Sequence, residues 1–129
     1  MIIGIGTDLC DARRIKASHD RFGARFLDRI YTPDEQAHAL GAAQPHQSLA
    51  KRFAAKEAVA KALGTGVRGF QFIDIEVVSG LLGKPHILLH GGAAETLRRV
   101  VPDGMTAFIH LSMSDEDPYA TAYAVIEAL

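Results

Sequence analysis

After an opening strand, the hydrophobic period of this chain is helical up to about residue 63. Beyond that point it is strand-like, apart from one helix. Residues 2–8, Ile-Ile-Gly-Ile-Gly-Thr-Asp, put Ile3, Ile5 and Thr7 on one face and Ile2, Gly4, Gly6 and Asp8 on the other. Asp8 ends a face cleared by two glycines, which permits close approach of another backbone or a ligand. The plainer reading is that Asp8 starts the following turn. Asp11 is a candidate N-cap for a basic helix containing Ile15. Phe22, Phe26, Leu27 and Ile30 continue its apolar stripe after a break near Gly23. Thr32, Pro33 and Glu35 form a capping-box start for a short helix ending near Gly41. A loop through Pro45 then leads to a central helix, Ser48 to Leu63, with Gly64 placed for its C-terminal cap.

In the second half, Ile73, Ile75 and Val77 alternate with Asp74, Glu76 and Val78, predicting a half-exposed strand. A turn over residues 79–83 leads into a second strand near His86–Leu89. Residues 91–101 predict a helix with Leu97, Val100 and Val101 inward. The strand Thr106–Ser114 puts Phe108, His110, Ser112 and Ser114 on one face, and a last strand covers about Tyr119–Ile126. The expected class is α+β: a single domain over residues 1–129, its antiparallel sheet packed against a long central helix and shorter N-terminal helices. The first strand is expected to join that sheet.

The central helix carries the most informative chemistry. Between Lys51 and Leu63 it is apolar or small on nearly every side, interrupted by Lys51, Arg52, Lys56, Glu57 and Lys61. A helix of this kind is buried, so its charges must project into something polar. Glu57 and Lys61 share a flank with Ala50 and Ala54 and lie about 6 Å apart along the axis. The alanines leave room for a ligand or a closely packed strand. The same two residues also read as an ordinary i, i+4 pair, worth a few tenths of a kcal/mol.

Composition narrows the classes. A formal charge of −1 gives no global pull towards nucleic acid or an anionic membrane. Residues 11–29 hold six basic residues against three acidic ones, which suits either an acidic partner or a solvated helical face. One cysteine, Cys10, excludes an internal disulfide framework and suits a reducing, cytoplasmic setting. There is no 18-residue apolar run and no signal-peptide pattern at the start. The six histidines show no metal-ligand spacing, and His110 alone reads either as a hydrogen-bonded structural residue or as a catalytic one. Gly64-Thr65-Gly66-Val67-Arg68-Gly69 fits G-x-G-x-x-G, but it follows a predicted helix and leads towards a strand. That order excludes a dinucleotide site.

Three segments, in order, resemble the holo-[acyl-carrier-protein] synthases, the short single-domain type of 4′-phosphopantetheinyl transferase. They are Gly6-Thr7-Asp8-Leu9 with Arg14-Ile15; Arg52-Phe53-Ala54-Ala55-Lys56-Glu57-Ala58 with Lys61-Ala62 and Gly64-Thr65-Gly66; and His110-Leu111-Ser112-Met113-Ser114 with Tyr119-Ala120 and Val125-Ile126-Glu127. The middle segment is the most specific. Asp115 stands where many members carry His, so that position receives no role.

The resemblance implies transfer of phosphopantetheine from coenzyme A to a serine of acyl carrier protein. Adenosine 3′,5′-bisphosphate is released, and fatty acid biosynthesis is supported. Asp8 and Glu57 are then the ligands of Mg²⁺, and Lys61 neutralises the transferring phosphate. The serine proton goes to Glu57 through a water of the metal's shell, or alternatively to His110. Coenzyme A is expected in a cleft between subunits of a homotrimer. Arg52, His110 and Ser112 would meet its 3′-phosphate end, Gly83-Lys84-Pro85 its adenosine, with Asp8, Lys61 and Gly64 completing the set. Arg14, Arg21, Arg25 and Arg29 match the surface on which the acidic carrier docks. Two alternatives stand beside this: a non-catalytic module in which Asp8, Glu57 and Lys61 form only an ion network, and a transferase serving a peptidyl carrier.

Overall fold

In the computed structural model, which describes residues 1–129, helix α4 (Pro45–Ala62) is the axis on which everything else packs. Ala50, Ala54, Ala55, Ala58, Val59 and Ala60 have no exposed surface at all. Strand β1 (Ile2–Asp11) lies directly on this helix. A Cβ at Gly4 would collide with the Ala62 carbonyl, and one at Gly6 with the Ala58 carbonyl. The two glycines therefore set the distance between strand and helix, and every side chain further along β1 is placed by that contact.

β1 runs three residues past the expected end at Asp8, because it stays paired as far as Asp11 opposite Tyr119. Asp11 still caps α1 (Ala12–Phe22), its carboxylate accepting from the Arg13 N–H at 2.9 Å. Gly23, at φ +58°, separates α1 from α2 (Ala24–Ile30). The capping box of α3 (Pro33–Leu40) is complete: Thr32 Oγ1 accepts from Glu35 N at 3.2 Å, and Thr32 N donates to Glu35 Oε1 at 2.9 Å. α4 starts at Pro45 rather than Ser48. Proline at the first helical position has no N–H to satisfy and opens the helix instead of preceding it.

The second half contains β2 (Ile75–Ser79), β3 (Pro85–Leu89), α5 (Gly91–Val100), β4 (Ala107–Glu116) and β5 (Tyr119–Ala128). The strands form two antiparallel sheets, not one. β1-β5-β4 makes a three-stranded sheet and β2-β3 a separate hairpin. α5 carries the chain from β3 to β4, so no tight turn fixes a backbone register between them. The inner face of β5 is Ala120, Ala122, Ala124 and Ile126, all buried against α4. Small residues on both surfaces let the sheet sit as close to the helix as the glycines do.

Two expectations in the hairpin region need correction. Ile73 falls in a short 3₁₀ turn, Phe72–Asp74, that precedes β2. Glu76 is buried rather than on an exposed face, because Thr32 Oγ1 and His90 Nε2, each at 2.9 Å, hold its carboxylate. Gly64, Gly66 and Gly69 all take positive φ in the loop after α4, as a chain reversal requires, and no helix follows them directly.

Candidate active site

Asp8 belongs to the β1 face that carries Gly4 and Gly6, so it is directed at α4. Its backbone is fixed by pairing with Ala122 and by Thr121 Oγ1, which donates to the Asp8 carbonyl at 2.8 Å. Glu57 and Lys61 come to the same place from the helix. Lys61 Nζ donates to the Thr7 carbonyl at 2.9 Å and to Asp8 Oδ1 at 3.3 Å. Asp8, Glu57 and Lys61 line one open cleft of about 430 Å³, with Phe26 and Phe53 on its apolar side and Arg14 at its edge.

The electrostatics of this cleft are unbalanced. Burial, and then the neighbouring Asp8 carboxylate, raise the Glu57 carboxyl above its ordinary range, against the pull of Lys61. The lysine's donors go to Thr7 and Asp8, which leaves Glu57 without that hydrogen bond. Two carboxylates therefore share one cleft with a single half-exposed lysine. An all-oxygen pair in this state fits a hard divalent cation that fills its remaining positions with phosphate and water. Asp11 also lines the cleft, but its carboxylate is held by Arg13, and no third carboxylate, histidine or thiolate is grouped with Asp8 and Glu57 to hold a metal ion. Cys10 also lines the cleft, but burial, with Asp8 adding to it, pushes its thiol up to about 11, so it stays protonated and inert.

The other expected site residues lie elsewhere on the single chain. Arg52 is buried within α4's far side, donating to the Val77 carbonyl at 2.6 Å and facing His38 Nδ1 at 2.7 Å, with Nε unpartnered. His110 and Ser112 stand on the outer face of the sheet, opposite to Asp8, and His110 meets Glu127 there. Gly83-Lys84-Pro85 forms the tip of the β2–β3 hairpin, and Gly64 sits exposed in the loop after α4. Arg21, Arg25 and Arg29 project outward from α1 and α2. Asp115 pairs with Lys51 at 3.2 Å, tying the end of β4 to α4.

One cluster escaped the sequence reading. Lys56 Nζ is fully buried and donates to Glu35 Oε1 at 2.8 Å, to the Phe72 carbonyl at 3.1 Å and to the Ile75 carbonyl. Glu35 Oε2 accepts from Val77 N at 3.0 Å. The available signal was a lysine in the most apolar stretch of the chain, which needs an anion inside.

The family model described as the 4′-phosphopantetheinyl transferase superfamily matches residues 4–124. The chain belongs to this superfamily. It is 54% identical over 129 residues to the holo-[acyl-carrier-protein] synthase of Azorhizobium caulinodans, covering 99% of this chain and 95% of that protein. The crystal structure of the holo-[acyl-carrier-protein] synthase of Neisseria meningitidis superposes with a TM-score of 0.86 at 42% identity, covering 98% and 99% of the two chains. The synthase of Bacillus anthracis in complex with CoA (3′,5′-ADP) gives 0.79 at 35% identity, covering 98% and 97%. The chain is thus an enzyme of the phosphopantetheinyl transferase kind, and the non-catalytic alternative is set aside.

Proposed function

We propose that this enzyme moves 4′-phosphopantetheine from coenzyme A to a serine of apo-acyl carrier protein and releases adenosine 3′,5′-bisphosphate. In this reading the reaction needs Mg²⁺ and serves fatty acid biosynthesis in the cytoplasm. The observation that carries it is the meeting of Asp8, Glu57 and Lys61 in one cleft with an unsatisfied negative charge.

Asp8 and Glu57 would hold the metal, which when bound supplies positive charge to the diphosphate oxygens as the phosphoryl group transfers. Lys61, with half its side chain exposed, turns from Asp8 to a phosphate oxygen without unburying anything. Glu57, in the same cleft, would take the serine proton. His110, on the opposite face of the sheet, is left for the nucleotide.

That placement supports a site shared between copies of this chain. The outer sheet face carries Ile5, Leu9 and Tyr123, exposed by 72%, 68% and 58%, beside His110 and Ser112. A neighbouring subunit of a homotrimer would cover these apolar residues and bring His110 and Ser112 to the 3′-phosphate end of coenzyme A. The hairpin tip Gly83-Lys84-Pro85 and the Gly64 loop then border the adenosine. Arg52 would reach the 3′-phosphate end only by leaving the Val77 carbonyl and His38, which hold its guanidinium inside the chain. Arg14, Arg21, Arg25 and Arg29 receive the acidic carrier.

The test is incubation with apo-acyl carrier protein, coenzyme A and Mg²⁺, followed by mass spectrometry of the carrier. A phosphopantetheine adduct on serine that fails to form when Mg²⁺ is chelated is the expected result. A carrier that stays unmodified at high enzyme concentration sinks the reading.

A further inference from the structure

Glu127 belongs to the C-terminal hairpin motif and has no part in the reaction described so far. It stands on β5, the central strand, with its backbone in register with Phe108 on one side and Ile2 on the other. His110 stands on β4 opposite Val125, so the two side chains meet on a diagonal across neighbouring strands, a span that long side chains bridge. His110 Nε2 and Glu127 Oε1 are 3.0 Å apart. An ionised carboxylate only accepts hydrogen bonds, so the hydrogen resides on Nε2 and points at Glu127. The ring's other nitrogen, Nδ1, is left for a ligand. On the single chain the two side chains are 58% and 33% exposed, and an ion pair with this much contact with water contributes little to the stability of the subunit. The arrangement therefore does more for the orientation of the ring than for the fold.

We propose that Glu127 is a positioning residue for coenzyme A, holding His110 by Nε2 so that Nδ1 faces the 3′-phosphate of the donor. This rests on the reading above that His110 meets the 3′-phosphate end. A phosphate ester at Nδ1 needs a donor there, which makes the ring an imidazolium held between two anions, the phosphate and Glu127. Glu127 then supplies orientation and countercharge without touching the substrate. Its backbone, paired on both sides, gives the ring a rigid support of the kind a binding site requires.

The test compares steady-state kinetics of wild type, Glu127→Ala, Glu127→Gln and His110→Ala on coenzyme A and on 3′-dephospho-coenzyme A, with a thermal melt of each. Glu127→Ala should raise KM for coenzyme A about tenfold, the scale of one charge-assisted hydrogen bond disordered, with kcat within about twofold. On 3′-dephospho-coenzyme A the same variant should match wild type. Glu127→Gln keeps an acceptor oxygen for Nε2 but loses the charge, so its KM should fall between the two. In a His110→Ala background the Glu127→Ala change should add nothing, because the effect passes through the ring. A wild type that treats the two donors alike overturns the phosphate reading of His110 and this proposal with it. A wild type that discriminates, beside Glu127 variants that discriminate equally well, overturns the proposal alone. So does a lowered melting temperature with unchanged KM, which would mark the pair as sheet support only.

Discussion

Lys56 and Lys61 leave the same helix five residues apart and end in opposite circumstances. Lys56 lies wholly inside, its three donors spent on Glu35 and two backbone carbonyls. Burial lowers its proton affinity, and the Glu35 carboxylate opposes that loss. Lys61 is half exposed, loosely held at 3.3 Å to Asp8, and stands beside a carboxylate to which it gives no hydrogen bond. The first cluster is complete without a ligand. The second lacks positive charge. The contrast separates structure from chemistry: a finished ion network fixes β2 and α3 against α4, while an unfinished one a few residues on leaves a place for a cation and a phosphate.

The largest effect should come from breaking the finished network. Lys56→Met leaves Glu35 charged in the interior and removes a donor from two buried carbonyls. The expected cost is about 3–5 kcal/mol of folding stability. Urea denaturation measures it, and a loss under about 1 kcal/mol would erase the distinction between the two lysines.

Next in size is the unfinished cluster, read in rate rather than stability. Asp8→Asn and Glu57→Gln should each lower kcat by about 10²–10³, the scale seen when one electrostatic stabiliser of a transition state is removed. If both carboxylates serve one Mg²⁺, the residual activity of each variant needs far more metal, and the double variant is little worse than either single one. A Mg²⁺ titration that gives one unchanged half-saturation point for all variants would show that the pair holds no metal.

How much of this contrast was legible in the sequence depends on distance along the chain. Asp8, Glu57 and Lys61 could be read because a strand of period two and a helix of period 3.6 each fix a face. Gly4, Gly6 and the alanines then identify the faces that touch. The network of Lys56 was not legible. Its partners come from α3, the turn at Phe72 and β2, and the capping box already gave Glu35 a sufficient local purpose. Glu76 was misplaced for the same reason, since Thr32 and His90 reach it from distant segments. The separate β2–β3 sheet was hidden because strand pattern predicts strands and not their partners. The exposed apolar face of Ile5 and Leu9 went unremarked because the face that packs on α4 is the opposite one, cleared by Gly4 and Gly6.

A smaller effect concerns charges that have no buried partner at all. Arg14 borders the cleft and Arg25 projects from α2, both exposed. Reversing both to Glu should weaken apo-carrier binding by about tenfold while coenzyme A affinity stays nearly the same, and the wild-type carrier affinity should itself fall as salt rises. Titrations at low and high salt measure both, and an unchanged carrier affinity in the double variant removes this surface from the docking reading.

The smallest effect is the most discriminating, because the two lysine clusters predict opposite signs. Charged Glu57 is disfavoured in the folded protein, first by burial and then by Asp8, so its folded carboxyl binds a proton more tightly than the ordinary value of 4.5. When both states are protonated, below that ordinary value, Glu57 contributes nothing to the balance. As pH rises from there through the raised folded value, the unfolded chain releases the proton first and the native state loses stability. At neutral pH Glu57 is therefore a cost, and Glu57→Gln should raise metal-free stability by less than about 1 kcal/mol while abolishing most activity. The gain should vanish when the same pair of proteins is melted near pH 4. Added Mg²⁺ should reverse the order, since a cation bound by Asp8 and Glu57 stabilises wild type by mass action and the Glu57→Gln variant far less. If Glu57→Gln lowers the metal-free melting temperature at neutral pH, Glu57 resembles Glu35 after all, and the cleft is a second structural network.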